Sequence, residues 1–372
     1  MDNNKIWVLI ACGKLSVGGA RSMIMNYYRN IDKNKVQFAF AFSRQEKYDI
    51  DDEIVSLGGK VFYLPDFSAH PLKYYFGFKR LLKDNKYIDI VHAHNNFKNF
   101  LALSAAKKCS IKIRISHSHN TGDVSSTSFL QKIKNHIQRR LILNSATLLV
   151  GCSKKAYLYL YGNPKNEIII SNAIDIKKYK FNFDDRERIR NSLGCDNKVL
   201  IGTIGNFSKQ KNVGFIIKMM SLLPMNYALV LGGESETTNF YKKMVSDLGL
   251  EERVFFLGKV DSSHFYSALD IFVLPSLFEG LPVVGIEALA NGLPCILSNK
   301  ITNEFEQCGL CHYLPIDCGE KIWSNFILEN TDSLKRCDNE QRLIDNGFSI
   351  EKAAVSLEEL YINLLLEQNN RR

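Results

Sequence analysis

The chain has 372 residues, 45% of them hydrophobic and 23% charged, and a formal net charge of +9. That length exceeds one ordinary core and predicts two domains, and the composition is that of an ordinary soluble globular protein. Residues 1–185 carry 29 Lys+Arg against 15 Asp+Glu, residues 186–372 carry 19 against 24, so the first half is expected to face an anionic partner: a phospholipid surface, a phosphorylated substrate or nucleic acid.

The first strand is expected at Ile6–Cys12, an apolar run too short and too weakly flanked to be a secretion signal. The loop GKLSVGG follows and leads into helical spacing from Ala20 to Ile31. It is neither a Walker loop nor a GxGxxG fingerprint, which weakens ATPase and dehydrogenase readings. Its pair Gly18-Gly19 lets backbone amides approach a phosphate, although a simple tight turn satisfies the same residues. Strand-like runs recur at Val36–Phe42, Lys60–Leu64, Ile88–Ala93, Lys112–Ser116, Thr147–Cys152 and Glu167–Ser171 with helical spacing between them. This alternation predicts a parallel sheet covered on both faces, with ligands beyond the carboxyl ends of its strands.

Two His-x-His pairs fall at such ends, His92 and His94 in DIVHAHN and His117 and His119 in RISHSHN. Metal chelation is a rival use for them, against which stands the lack of neighbouring carboxylates. The pair Asp49-x-Asp51 lies in an acidic, surface-like run and carries no metal expectation. Nine scattered cysteines favour a reducing cytoplasm over a disulfide framework, and the lone Cys308-x-x-Cys311 has no second pair to make a zinc site. No apolar run approaches the ~20 residues of a membrane span, so membrane association would be peripheral. Pro71–Lys83 and Phe129–Leu143 combine basic and apolar residues. Phe129, Ile133, Ile137 and Leu141 form one stripe, with Lys132, Lys134, Arg139 and Arg140 elsewhere on the same helix. The stripe fits an inward core face or an anionic membrane equally.

Asn172 to Phe181 lacks periodicity and reads as a linker. The scheme then repeats, with strands at Lys198–Ile204, Tyr227–Leu231 and Val254–Leu257 and helices at Val213–Leu223 and Thr238–Leu248. Leu269 to Ser298 reads as strand, loop, helix, strand, with Glu279 before the helix and Glu287 inside it. Because that helix is apolar nearly all round, its carboxylate must be paired or hydrogen-bonded. Eight residues at helical rise span roughly 12 Å, the reach of a nucleotide-sugar from hexose to ribose. Two carboxylates could then take hydroxyls at the ends of one ligand, with the amides around Gly280, Leu281 and Pro282 facing a diphosphate between them. Ile350 to Glu367 reads as a long amphipathic helix.

FEGLPVVGIE resembles the Glu, seven residues, Glu signature of the family-four retaining glycosyltransferases. The first loop, RISHSHN, the linker NAIDIKKY, the KQKN loop and the last helix occur in that family's order. The resemblance implies an α/β GT-B fold: two Rossmann-like parallel-sheet domains, 1–175 and 183–349, facing across a cleft, with a C-terminal helix, 350–372, crossing back to the first. It implies that Gly18 and Gly19 close over the donor diphosphate and that His119, with His117 second, points at the reacting centre. Lys259 and Val260 correspond to the nucleobase contact. Lys211 matches one of two cations that clamp the diphosphate; Asn206 stands where the family has Arg, and Lys209 is the residue available to compensate.

Glu279 is accordingly assigned to sugar hydroxyls and Glu287 to the ribose, with catalysis expected from His119, Lys211 and Glu279. The expected activity is transfer of a hexose or N-acetylhexosamine from a nucleotide-sugar, UDP-linked by resemblance, to a lipid-linked or oligosaccharide acceptor in surface polysaccharide synthesis. No metal or other cofactor and no nucleic-acid partner is expected, and the location implied is cytoplasmic, on the inner face of the membrane. A nucleotide-sugar 2-epimerase or phosphorylase of the same fold, or an inactive nucleotide-sugar-binding subunit, are the alternatives.

Overall fold

The computed structural model describes residues 5–15, 18–122, 128–164 and 166–370. The chain divides into two compact units, Met1–Asn172 with Ile350–Arg372, and Ala173–Ser349. Apart from Asn172, the residues read as a linker belong to the second unit: the Ile174 amide donates to the Phe348 carbonyl at 2.9 Å.

The first unit holds seven strands: β1 (Ile6–Cys12), β2 (Val36–Phe42), β3 (Lys60–Tyr63), β4 (Ile90–Ala93), β5 (Ile113–Ser118), β6 (Leu148–Gly151) and β7 (Ile168–Ile169). They form one parallel sheet in the order β3-β2-β1-β4-β5-β6-β7. The inner strands are apolar on both faces because helices cover both; Val8 to Cys12 and Phe38 to Phe42 are at most 1% exposed. The second unit holds β8 (Val199–Ile204), β9 (Tyr227–Gly232), β10 (Val254–Gly258), β11 (Ile271–Leu274), β12 (Cys295–Ser298) and β13 (Cys311–Leu314), ordered β10-β9-β8-β11-β12-β13 and again parallel.

Each sheet therefore starts in its middle, runs outward to one edge, and returns to run outward to the other. The reversal falls between β1 and β4 in one unit and between β8 and β11 in the other. Loops leaving neighbouring strands part there, which opens a crevice at the carboxyl ends. The short strand β13 and the helix Glu320–Asn330, whose buried Trp323 packs edge-on against Phe215 at 5.2 Å, are elements that the periodicity did not reveal.

The last helix, Ile350–Asn370, returns to the first unit. Its Glu358 accepts from Lys35 Nζ at 2.7 Å and from the Asp32 amide at 3.2 Å, and its fully buried Tyr361 meets Phe38 edge-on at 6.3 Å. In Asp49-x-Asp51 the first residue is at the surface as expected, its side chain 77% exposed, and the second is not. Asp51 is buried, paired with Arg44, and accepts from the Tyr63 hydroxyl at 2.7 Å and the Tyr48 amide at 3.1 Å, so it closes the start of the helix Asp49–Ser56.

Candidate active site

In the second unit the loops after β8 and β11, on either side of the reversal, are stitched to each other. The Leu277 amide donates to the Gln210 carbonyl at 2.9 Å, and Gln210 Nε2 donates to the Phe278 carbonyl at 2.8 Å. Lys211 is thereby brought to Glu279, Nζ to Oε1 2.7 Å, and Ser276 Oγ donates to the same oxygen at 3.1 Å. Lys211 and Glu279 side chains keep 18% and 11% of their surface exposed, enough for a ligand to reach both groups. Gly280 and Leu281 are buried beside them, and the helix Val283–Ala290 starts only after Pro282, so Glu279 lies in the loop and the separation at helical rise does not apply.

The β8 loop is shaped by close backbone approach. Gly205 and Gly233 both have positive φ, 148° and 111°, and a Cβ on Gly233 would sit 2.0 Å from the Gly205 carbonyl oxygen. Asn206 and Lys209 are exposed on this loop. Lys259 is exposed after β10, 3.5 Å from Glu234, with Val260 half-buried next to it.

Glu287 is 7% exposed, and its two oxygens accept from the Tyr179 and Tyr266 hydroxyls at 2.9 and 2.8 Å. Burial raises its carboxyl above the usual range, opposed by the two phenol hydrogen bonds. The pairing demanded by its apolar helix is thus met by tyrosines that the sequence reading did not single out. Tyr179 sits in the segment read as linker and Tyr266 in an intervening short helix.

In the first unit, Gly18 precedes the helix Gly19–Asn30 at φ 127°, with nothing within 4 Å of an added Cβ. Its backbone conformation, rather than crowding, calls for glycine. Ser16 and Val17 of the same loop lie outside the described residues.

Beside the reversal, at the carboxyl ends of β4 and β5, the four histidines form one stack. His92 and His117 lie within β4 and β5, and His94 and His119 lie just beyond. Ring centroids are 5.3 Å apart for His92–His117 and 5.1 Å for His94–His119. His94 Nδ1 is 2.8 Å from His119 Nε2, His117 Nδ1 is 3.2 Å from His92 Nε2, and His92 Nδ1 is 2.8 Å from the Tyr361 hydroxyl. Asn96 Oδ1 accepts from the His119 amide at 2.8 Å, and Asn99 Nδ2 donates to the His117 carbonyl at 3.2 Å, which holds the β5 end in place.

Burial lowers all four imidazoles, His92 to about 3 and His119 to about 4, so they are neutral at pH 7. His92, His94 and His117 each bring a ring nitrogen within 4.8 Å of the others, a set able to hold a metal ion. Both nitrogens of His92 are, however, already engaged by Tyr361 and His117.

Residues 17–178 match the family model Glycosyltransferase Family 4, and residues 185–307 match Glycosyl transferases group 1. The chain is 31% identical over 386 residues, covering all of both chains, to EpsF of Bacillus subtilis (strain 168), which is named as a glycosyltransferase. It is 27% identical to a UDP-Gal:alpha-D-GlcNAc-diphosphoundecaprenol alpha-1,3-galactosyltransferase of Escherichia coli, over 78% of this chain and 79% of that one. Among solved structures it resembles Anabaena Alr3699/HepE in complex with UDP, with TM-score 0.79 and 18% identity over 96% of this chain and 100% of that one. WaaG, a glycosyltransferase involved in lipopolysaccharide biosynthesis, aligns at TM-score 0.65 and 13% identity, over 95% of each chain.

Proposed function

Since the chain belongs to the glycosyltransferase family whose group 1 and family 4 models it matches, we propose that it transfers a hexose or N-acetylhexosamine from a UDP-sugar to a lipid-linked or oligosaccharide acceptor, with retention of anomeric configuration. The observation that carries this reading is the Lys211–Glu279 pair at the β8/β11 reversal, a cation and a carboxylate side by side and both accessible. On donor entry Glu279 accepts from sugar hydroxyls while Lys211 and the amides of Gly280 and Leu281 neutralise charge developing on the β-phosphate. Gly18 and Gly19 close over the diphosphate, Lys259 and Val260 meet the base, and Glu287 takes the ribose hydroxyls with the lone pairs its tyrosines leave. In the first unit, His119, with His117 as second choice, is the residue assigned to the reacting centre.

Transfer then proceeds at one face of the sugar. The acceptor oxygen bonds to the anomeric carbon as the bond to the β-phosphate oxygen breaks, and that phosphate oxygen takes the acceptor proton. This account uses no protein nucleophile and no metal ion. Support for the UDP donor comes from the complexes of HepE with UDP and UDP-glucose, and for a lipid-linked acceptor from the galactosyltransferase relative.

The helix Phe129–Ser145 supports a membrane-surface location. Its apolar stripe faces outward, with Phe129 75%, Ile133 43% and Ile137 53% exposed, while polar Gln138 is buried. Lys132, Lys134 and Arg140 are exposed along it, a surface suited to anionic phospholipid. Arg139 is excluded from that set because it bonds the Leu160 and Tyr159 carbonyls at 2.8 Å. No helix among the described residues is long and apolar enough to cross a membrane.

The test is a screen of UDP-, GDP- and ADP-sugars for thermal stabilisation, since a ligand bound only by the folded state raises stability with concentration. It is followed by NMR of the product made with a membrane lipid extract. A UDP-sugar consumed to give an α-linked product from an α-linked donor is expected. Isomerised donor with no acceptor consumed would assign an epimerase instead, and binding without turnover an inactive subunit.

A further inference from the structure

We propose that Tyr361, on the returning C-terminal helix, is a positioning residue that locks His117 in its Nε2–H tautomer by way of His92. The chain of contacts runs from the Tyr361 hydroxyl to His92 Nδ1 at 2.8 Å and from His92 Nε2 to His117 Nδ1 at 3.2 Å. Tyr361 is fully buried, and among the described residues its hydroxyl meets no partner other than His92. A buried hydroxyl proton left without an acceptor is costly, so Tyr361 donates and His92 Nδ1 accepts.

The rest follows from counting protons. Burial keeps His92 neutral, and a neutral imidazole carries one N–H. With Nδ1 accepting, that proton is on Nε2 and is given to His117 Nδ1. His117 is also neutral, so its own proton is on Nε2. His117 Nε2 is buried and has no partner among the described residues. The opposite polarity would strand the Tyr361 proton as well as leave His117 Nε2 a bare lone pair. The assigned polarity leaves one unmet group, an N–H donor, which an entering oxygen satisfies.

The tautomer stands independently of the transferase reading. Only the identity of the oxygen, a hydroxyl or phosphoryl oxygen of the glycosyl donor or acceptor, rests on that reading. The neighbouring His94 and His119 are joined to each other at 2.8 Å and, among the described residues, make no hydrogen bond to Tyr361, so they serve as an internal control.

The experiment is a long-range proton–nitrogen correlation spectrum of the full chain at pH 7 with 15N-labelled histidine, His92 and His117 being assigned from His92→Gln and His117→Gln spectra. The expected wild-type result is Nε2–H at both. Tyr361→Phe keeps the ring and removes the hydroxyl, and should turn His92 and His117 from one tautomer to a mixed population while His94 and His119 stay as they were. An Nδ1–H tautomer at His117 in the wild type overturns the proposal, and that measurement needs no variant of Tyr361. An unchanged His117 tautomer in folded Tyr361→Phe overturns it too.

Discussion

The two units bring their candidate groups to the carboxyl ends of parallel sheets of the same winding and build them from opposite materials. Between β8 and β11 stand a lysine and a carboxylate, charged and reachable by solvent. At the ends of β4 and β5 stand four imidazoles, three buried and His119 half-buried, with no charge at pH 7. Topology supplies the crevice in both, and the side chains decide whether it holds an ion by charge or an oxygen by directed hydrogen bonds. Ion pairing suits a diphosphate that must be gripped and then stabilised as it leaves. A neutral, desolvated stack suits a place where orientation matters more than field.

Acid should break this comparison most strongly. The histidines ionise in the unfolded chain near pH 6.5 but stay neutral in the fold, His119 down to about 4 and His92 to about 3. Because the folded-state values are depressed, the stability tied to them is whole above the unfolded value and is lost as pH falls from about 6.5 toward the folded values. Each contributes at most about 1.4 kcal/mol per pH unit, a limit reached only well below pH 6.5, so stability falls ever more steeply as pH drops from 7 to 5. Urea unfolding of the full chain at pH 7, 6 and 5 reads this. A midpoint that does not move would mean that the imidazoles are solvated.

Lys211→Met tests the charged half. Removing one preorganised cation from a developing phosphate charge should lower turnover by roughly a hundred- to a thousandfold, while the fold is kept because Glu279 retains Ser276. Kinetics with the UDP-sugar that passes the stabilisation screen measure it, and a loss under tenfold would remove Lys211 from the chemistry. Glu287 needs a gentler probe than alanine, which would strand two buried phenols. Glu287→Gln keeps one acceptor oxygen.

How much of this was legible in the sequence differs between the same two regions. The α/β alternation, the order of the elements and the place of Glu279, Lys211 and the histidines follow from local periodicity and motif. What joins them does not. Glu287 meets Tyr179 across 108 residues, and His92 meets Tyr361 across 269; such partners leave no mark in a local pattern. The helix Phe129–Ser145 shows the same limit, because a stripe at positions four apart looks identical whether it faces the core or the solvent. Neighbouring Pro71–Asp84 has the same basic and aromatic mixture, yet there Tyr74, Phe78, Leu81 and Leu82 are buried. What surrounds the two helices, rather than their composition, separates them.

Lys132→Glu, Lys134→Glu and Arg140→Glu together should release the protein from vesicles containing phosphatidylglycerol and leave its unfolding midpoint unchanged, since all three are exposed. Each basic residue near an anionic surface is worth about 1 kcal/mol, so losing three lowers partitioning on the order of a hundredfold at physiological salt. Co-sedimentation with anionic and with phosphatidylcholine vesicles reads it. Undiminished binding to the anionic vesicles would return the stripe to another use.

The smallest effect bears on what the charged half lacks. Asn206, where the resemblance implies an arginine, is exposed on the loop that ends in Lys211. A neutral amide offers a phosphate one or two ordinary hydrogen bonds, whereas a guanidinium offers a planar, charge-assisted pair. Asn206→Arg should therefore tighten UDP binding by about tenfold, near 1.4 kcal/mol, and calorimetry at two salt concentrations should show the gain shrinking as salt rises. Because the position is exposed, the added side chain displaces nothing from the core and the unfolding midpoint should hold. Weaker UDP binding would mean that the loop after β8, held by the Gly205–Gly233 contact, carries position 206 away from the diphosphate. Lys209, exposed on the same turn, would then be the second cation, and Lys209→Ala would lower UDP affinity where Asn206→Arg had failed to raise it.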